Sequence, residues 1–331
     1  MNASLEGPDW SAEYDKRVGQ YEKLRGEVEF ALGNALADKK TQSISVRAKE
    51  QNSFVEKIQR KEYEDPFGEM PDIVGARIVC LFLEDIDEVE SIIRETFEVK
   101  SKEDKTALSA PDTFSYRSVH FECAIKDEHS GPHYDGIKNL TFEIQVRTIL
   151  QDAWAVVEHA LAYKGSSSIP IELKRDFSAL VGLFHLADKI FQQLRHGIEK
   201  SELDAATTVD ALGDETKEVE VPIDRGTLKA YLRRIYPNRL WAKDAHYSSL
   251  VDDLAAADIR TLGQLIEILE GDPERVKVAE SDEIGKGPYF DLDGKRYKEL
   301  GDTGFARVVA GMVLEDFRDS RKKFRFVKMD E

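Results

Sequence analysis

Cysteine is almost absent from this chain: Cys80 and Cys123 are the only two among 331 residues. Two thiols in separate apolar runs cannot build a disulfide framework, and no Cys/His spacing marks a structural zinc site. The expectation is a pair of buried free thiols in a reducing cytosol. Long apolar runs are missing as well. None approaches the roughly 20 residues that a membrane-spanning helix needs, and the polar, acidic start around Asn2, Ser4 and Glu6 does not read as a signal peptide. A cytoplasmic protein without a membrane partner is expected. Positive charge is also short: 47 Lys and Arg against 64 Asp and Glu leave a net charge of −17. A field of that sign excludes broad, non-specific nucleic-acid binding. It leaves room for a local basic groove, because Arg47, Lys49, Lys57, Arg60 and Lys61 cluster early and Arg318, Arg321, Lys322, Lys323 and Arg325 late.

What is present suits a globular protein of two domains: 41% hydrophobic and 34% charged residues. Tyr14, Val18, Tyr21, Val28 and Leu32 recur at helical spacing and predict one long first helix. Alternation predicts a strand over 44–49, and helical spacing a helix over 52–63 that Asp65 and Pro66 end. A nearly continuous apolar run over 73–83 reads as a buried central strand. An amphipathic helix over 85–96 follows, with Asp85 as candidate N-cap. Strands are expected over 97–100, 116–125 and 140–147, then helices over 148–163 and 171–199. The result is an α/β (α+β) fold: a mixed five-stranded sheet flanked by helices. The first domain is expected over 1–200, an acidic, small-residue-rich linker over 201–221, and a smaller C-terminal α/β unit over 222–331 with no catalytic constellation of its own.

Four clusters carry the chemistry. Arg47 and Lys49 share a strand face, and Ser53 and Lys57 are four apart on the next helix, whose free N–H groups suit an anion. A polyphosphate grip is one reading and a solvated basic helix face the other. Asp72 sits at the mouth of the central strand, Gly75 permits close approach within it, and Arg77 must reach a partner or an edge because an unpaired buried cation is costly. A structural salt bridge would also account for Arg77. Tyr116, Ser118 and His120 share a strand face, where the tyrosine is either a stacking plate for a base or part of the core. In the last strand Glu143, Gln145 and Arg147 alternate with Phe142, Ile144 and Val146. Glu143 can join Asp72 as a Mg²⁺ ligand, since that ion typically takes one or two carboxylates plus substrate phosphates. It can also accept a proton from an attacking hydroxyl. A plain Glu143–Arg147 salt bridge is the alternative, but it leaves the rest of the polar row unexplained.

In order, Arg-x-Lys-x-x-x-Ser-x-x-x-Lys, Asp-Ile-x-Gly-x-Arg, Tyr-Arg-Ser-x-His, Glu-x-Gln-x-Arg-Thr and Ala-Trp-x-x-x-Glu-His-x-x-x-Tyr-Lys resemble the RelA/SpoT synthetase domain, over about residues 40–165. The resemblance implies a nucleotidyltransferase-like fold and a GTP pyrophosphokinase. ATP donates its β,γ-pyrophosphate to the 3′-hydroxyl of GDP or GTP, giving the alarmone (p)ppGpp and AMP. By similarity Arg47 and Arg77 flank the adenine, and Lys49, Ser53 and Lys57 hold the ATP phosphates. Asp72 and Glu143 hold Mg²⁺, with Glu143 also the base. Tyr116 stacks on guanine, and His120, Gln145, Arg147 and Lys105 serve the acceptor nucleotide. The sequence departs from the family pattern between Lys102 and Tyr116, where Ser115 stands in place of a common glycine. No upstream hydrolase domain is expected, so the chain resembles the small, single-function synthetases, in which homo-oligomers are common.

Two other readings remain. A toxin-type pyrophosphotransferase would modify the 3′ end of tRNA, for which the basic run 318–325 offers a surface. A degenerate nucleotide-binding sensor would retain the site without turnover, although binding alone does not require both Asp72 and Glu143.

Overall fold

The structure is a computed structural model that describes residues 8–104, 118–161, 170–212, 220–269, 273–286 and 299–313. It divides into two compact units, Met1–Leu194 and Arg195–Glu331.

The first unit is built on five strands: β1 (Thr41–Ala48), β2 (Val74–Cys80), β3 (Glu98–Asp104), β4 (Val119–Ala124) and β5 (Thr141–Thr148). Their order is β1-β2-β5-β4-β3. Only β2 and β5 run parallel, so the sheet is mixed as the sequence predicts. Its helices are α1 (Trp10–Asp15), α2 (Val18–Ala35), α3 (Gln51–Lys61), the short α4 (Pro66–Glu69), α5 (Glu84–Thr96), α6 (Ile149–Leu161) and α7 (Lys174–Ala211). The division between the units falls within α7.

Period-two patterning decides which side of the sheet is dry. Ile78, Phe121, Phe142, Ile144 and Val146 all point to one face and are fully buried. Leu24, Val28 and Leu32 of α2, Phe54 and Ile58 of α3, and Val89 and Ile93 of α5 join them in one core. Each such side chain stabilises the fold by roughly 1.5–3 kcal/mol. The opposite face carries the polar row of β5. A capping box ends β5 where that row ends: the Gln151 N–H donates to Thr148 Oγ1 (3.1 Å) and the Thr148 N–H to Gln151 Oε1 (2.9 Å). Thr148 also donates its hydroxyl to Asp188 of α7 at 2.6 Å, and Trp154 packs on Phe177 with ring centroids 4.7 Å apart.

The single long first helix is two helices. Tyr14 of α1 is buried and donates its hydroxyl to the Lys49 carbonyl, and Trp10 packs edge-on against Phe67. These tertiary contacts break a helical pattern that contains no breaker at Lys16 or Arg17. Asp85 is not the N-cap of α5. It lies inside the first turn and accepts the Phe82 N–H at 2.9 Å.

The second unit is organised differently from the expected α/β arrangement. Among its described residues it is helical, with α8 (Arg225–Ile235), α9 (Asp244–Ala256), α10 (Leu262–Leu269), α11 (Pro273–Lys286) and α12 (Asp302–Val313), plus an isolated bridge between Pro222 and Thr261. Leu228, Leu232, Tyr247, Leu250, Leu254, Leu262 and Leu265 form its core at helical spacing, which no strand would bury. Nor is 201–211 a linker. That stretch continues α7, turning Ala205 and Val209 inward and Asp204 and Asp210 outward. The rest of the expected linker lies largely outside the described residues.

Candidate functional site

The polar face of the sheet opens into a cleft of about 160 Å³ lined by Ser45, Arg47, Asp72, Gly75, Ala76, Arg77, Glu143 and Gln145. Strand register assembles it. Arg47, Gly75, Glu143 and Glu122 follow one another across β1, β2, β5 and β4, and Ser45, Arg77, Gln145 and His120 form the next row. Asp72 enters from the 3₁₀ turn Pro71–Ile73 that leads into β2.

Two lysines hold Asp72. Lys57 Nζ lies 2.7 Å from Oδ1 and Lys49 Nζ 3.0 Å from Oδ2. Lys49 is itself fixed by its main chain, whose N–H donates to the Ile73 carbonyl at 2.7 Å. Burial pushes the Asp72 carboxyl up, but the two ammonium groups outweigh it and hold it below its ordinary range. Glu143 is lowered as well. Burial raises it, hydrogen bonds from His120 and Gln145 lower it further, and the charge of Asp72 pulls back upward. Two ionised carboxylates therefore face one cleft and feel each other.

The polar row of β5 is a network rather than a salt bridge. His120 Nδ1 meets Glu143 Oε1 at 2.7 Å, and Gln145 Nε2 donates to Glu143 Oε2 at 2.7 Å. Arg147 Nη2 donates to Gln145 Oε1 at 2.5 Å, and Ser118 Oγ lies 2.6 Å from His120 Nε2. Arg147 is 6% exposed and does not touch Glu143 directly. Burial, with Arg77 beside it, lowers its pKa, which Asp152 opposes. Arg77 reaches Asp152 at 3.3 Å, so the partner that its place in an apolar strand demands lies on α6.

Of the candidate residues, Arg47, Asp72, Arg77, Glu143 and Gln145 line one cleft. Lys49 and Lys57 join it through Asp72, and His120 and Arg147 through the Glu143 network. Ser53 is exposed on α3, one turn before Lys57. Lys105 and Tyr116 lie outside the described residues. Sequence reasoning gave no role to Ser45, Ser118 or Asp152. Ser45 is two residues from Arg47 and shares its face, a signal that was present. Asp152 follows the Thr148 cap by four residues, which places it over the strand end.

Among the described residues no group of three or more His, Cys, Asp and Glu is arranged to hold a metal ion. Asp72 and Glu143 alone supply two hard oxygen donors, a set that fits a divalent cation only when substrate oxygens complete it.

Residues 46–168 match the model of the region found in RelA / SpoT proteins. The chain carries a RelA/SpoT domain. Two relatives from Bacillus subtilis (strain 168) agree with this placement. The GTP pyrophosphokinase YwaC is 29% identical over 147 residues, 43% of this chain and 68% of the relative. The GTP pyrophosphokinase YjbM is 32% identical over 160 residues, 47% of this chain and 66% of the relative. Similar solved structures include a GTP pyrophosphokinase family protein from Streptococcus pneumoniae, at 24% identity and TM-score 0.49, over 57% of this chain and 96% of that one. The small alarmone synthetase 1 from Bacillus subtilis bound to its product pppGpp is 26% identical with TM-score 0.48, over 57% of this chain and 99% of that one.

Proposed function

We propose that the chain is an alarmone synthetase that moves the β,γ-pyrophosphate of ATP onto the 3′-hydroxyl of GDP or GTP. The convergence of Asp72, Glu143, Arg47 and Arg77 on one cleft, inside a RelA/SpoT domain, carries this reading. The names of both curated relatives support it.

In this reaction the acceptor oxygen attacks the β-phosphorus of ATP. The bond from that phosphorus to the bridging α,β-oxygen breaks, and AMP leaves. Glu143, ionised and held by His120 and Gln145, takes the 3′-hydroxyl proton. Arg47 and Arg77 flank the adenine; Lys49, Lys57 and Ser53 hold the ATP phosphates. For the two lysines this means exchanging Asp72 for phosphate oxygens. Tyr116, Lys105, His120 and Gln145 receive the guanine nucleotide. Asp72 and Glu143 would hold Mg²⁺, which when bound supplies charge neutralisation for the polyphosphate.

A cytoplasmic location is part of this proposal, and no described helix is long and apolar enough to cross a membrane. Self-association belongs to the same proposal: Leu180, Leu183, Leu186 and Ile190 leave an apolar stripe exposed on α7. Light scattering should give a mass above that of one chain.

The test is an acceptor assay. Incubated with ATP labelled in the β-phosphate, Mg²⁺ and GDP, GTP or tRNA, the protein should label a guanine nucleotide and release AMP. Glu143→Gln should lose about 10²–10⁴-fold of that rate. Labelled tRNA would favour the toxin-type reaction, and nucleotide binding without AMP release the sensor.

A further inference from the structure

Five hydrogen bonds around Glu143 close into a ring, and every donor in it can be assigned. A carboxylate only accepts, so His120 Nδ1–H donates to Glu143 Oε1, and His120 Nε2 is left to accept the Ser118 hydroxyl proton. The Ser118 oxygen in turn receives Arg147 Nη2–H at 3.4 Å. On the other side Arg147 Nη2 donates to Gln145 Oε1, and Gln145 Nε2 donates to Glu143 Oε2. One guanidinium nitrogen thus starts two arms, through Ser118–His120 and through Gln145. They end on the two different oxygens of one carboxylate.

We infer that Arg147 and Ser118 are positioning residues of the transfer reaction, acting on Glu143 through these two arms rather than by touching either nucleotide. The inference rests on Glu143 being the base. Three observations carry it. Arg147 is 6% exposed and Ser118 5%, so neither presents itself to a ligand. Arg147 Nη1 is anchored at 3.4 Å from Asp152, a residue of another element. Arg147 Nε is buried without a hydrogen-bond partner among the described residues, a cost tolerated while Nη2 serves both arms. A carboxylate gripped at both oxygens cannot rotate about its last bond. Its free lone pairs stay aimed into the cleft, which favours a base that must meet one hydroxyl in one orientation. Ser118 explains why a small hydroxyl residue stands between Tyr116 and His120: the arm needs a group that accepts from arginine and donates to imidazole at once.

The experiment compares steady-state synthesis by wild type, Ser118→Ala, Ser118→Thr, Arg147→Gln, Glu143→Gln and the Arg147→Gln/Glu143→Gln pair, with folding checked by circular dichroism. Ser118→Ala cuts one arm and should lower kcat about tenfold, with a much smaller rise in the KM for the guanine nucleotide, which His120 also receives. Ser118→Thr keeps the hydroxyl and should restore most of the rate. Arg147→Gln cuts both arms and should lower kcat more, again by far more than it raises KM. On the residual rate of Glu143→Gln, adding Arg147→Gln should have little further effect. A raised acceptor KM at intact kcat, multiplicative losses in the pair, or an unchanged kcat for Ser118→Ala would each overturn the inference. If Arg147→Gln does not fold, the two Ser118 variants decide alone. Wild-type turnover that survives Glu143→Gln would instead overturn the assignment of the base.

Discussion

Gly75 lies directly beside Glu143 in the parallel pairing of β2 with β5, and a side chain added at Gly75 would meet no atom within 4 Å. The glycine is therefore not required by packing or by backbone conformation. What its missing side chain leaves is room in the cleft, between Arg47 on one side and Glu143 on the other.

Gly75→Val should consequently separate folding from function. The substituent projects into open space on a strand that welcomes β-branched residues, so stability should stay within about 0.5 kcal/mol of wild type. The same methyl groups fill the space between the proposed donor site and the base, and synthesis should fall at least 100-fold, a loss of about 2.7 kcal/mol in transition-state stabilisation. A thermal melt and a nucleotide assay on one preparation check both halves. A stable variant with normal turnover would show that the substrate does not pass over β2.

A pH prediction follows from Asp72 and its two lysines. A carboxyl lowered on folding contributes stability that is present above its unfolded pKa, near 3.9, and lost as pH falls through the folded value. Lys57→Met removes the 2.7 Å partner and should cost about 1–2 kcal/mol at pH 7. Once the pH drops through the carboxylate range and Asp72 is protonated in both proteins, the gap should close. Because the folded carboxyl titrates below its unfolded value, melting temperatures taken at pH 7 and at successive points from about pH 4 down to about pH 2 measure it. The gap should narrow over that last stretch, and a gap of constant size would mean that Lys57 acts by packing alone.

Period-two alternation was enough to read β5 from the sequence, because Phe142, Ile144 and Val146 had to be dry and their neighbours therefore wet. The same rule put Arg47, Glu143 and Gln145 on strand faces that the register then brings to one cleft, where Arg77, legible only as a lone charge in an apolar run, joins them. Alternation cannot say which strands are neighbours. Ser118 and Arg147 are 29 residues apart and meet only because β4 lies beside β5, so the ring around Glu143 was invisible. Composition misled at 201–211. Averaged over the stretch, acids and alanines suggest a solvated linker, but Ala205 and Val209 stand four apart and turn inward on α7. In the second unit Leu262, Leu265, Ile266 and Leu269 stand at helical spacing and form α10, and the α/β expectation overlooked that such spacing buries a helix and not a strand.

The two thiols should be chemically silent. Cys80 and Cys123 are fully buried, and burial pushes both thiols up to about 12, far from the thiolate that reacts. They sit on β2 and β4 with β5 between them, too far apart for a disulfide. Native protein should resist a thiol-specific alkylating reagent at pH 8, and two equivalents should react after denaturation. Fast labelling of the native protein would contradict the burial of these strands.

Asp302 is the polar centre of the second unit, and its loss should be costly. It is fully buried at the start of α12. Its Oδ1 accepts the Thr303 N–H at 2.7 Å and the Ala242 N–H at 3.1 Å, while Oδ2 accepts the Tyr247 hydroxyl. Removing the carboxylate strands a main-chain donor from the segment before α9 and a phenol on α9 itself, each worth about 1–3 kcal/mol when left unsatisfied. Asp302→Ala should therefore lower the melting transition of this unit by roughly 10 °C or more. Asp302→Asn retains one acceptor oxygen and the shape of the side chain, so it should fall between Asp302→Ala and wild type. That ordering distinguishes lost hydrogen bonds from a lost shape: were the Asn variant as unstable as the Ala variant, the two-sided acceptance by the carboxylate would be the whole of its contribution, and were both as stable as wild type, the second unit would not depend on Asp302 at all.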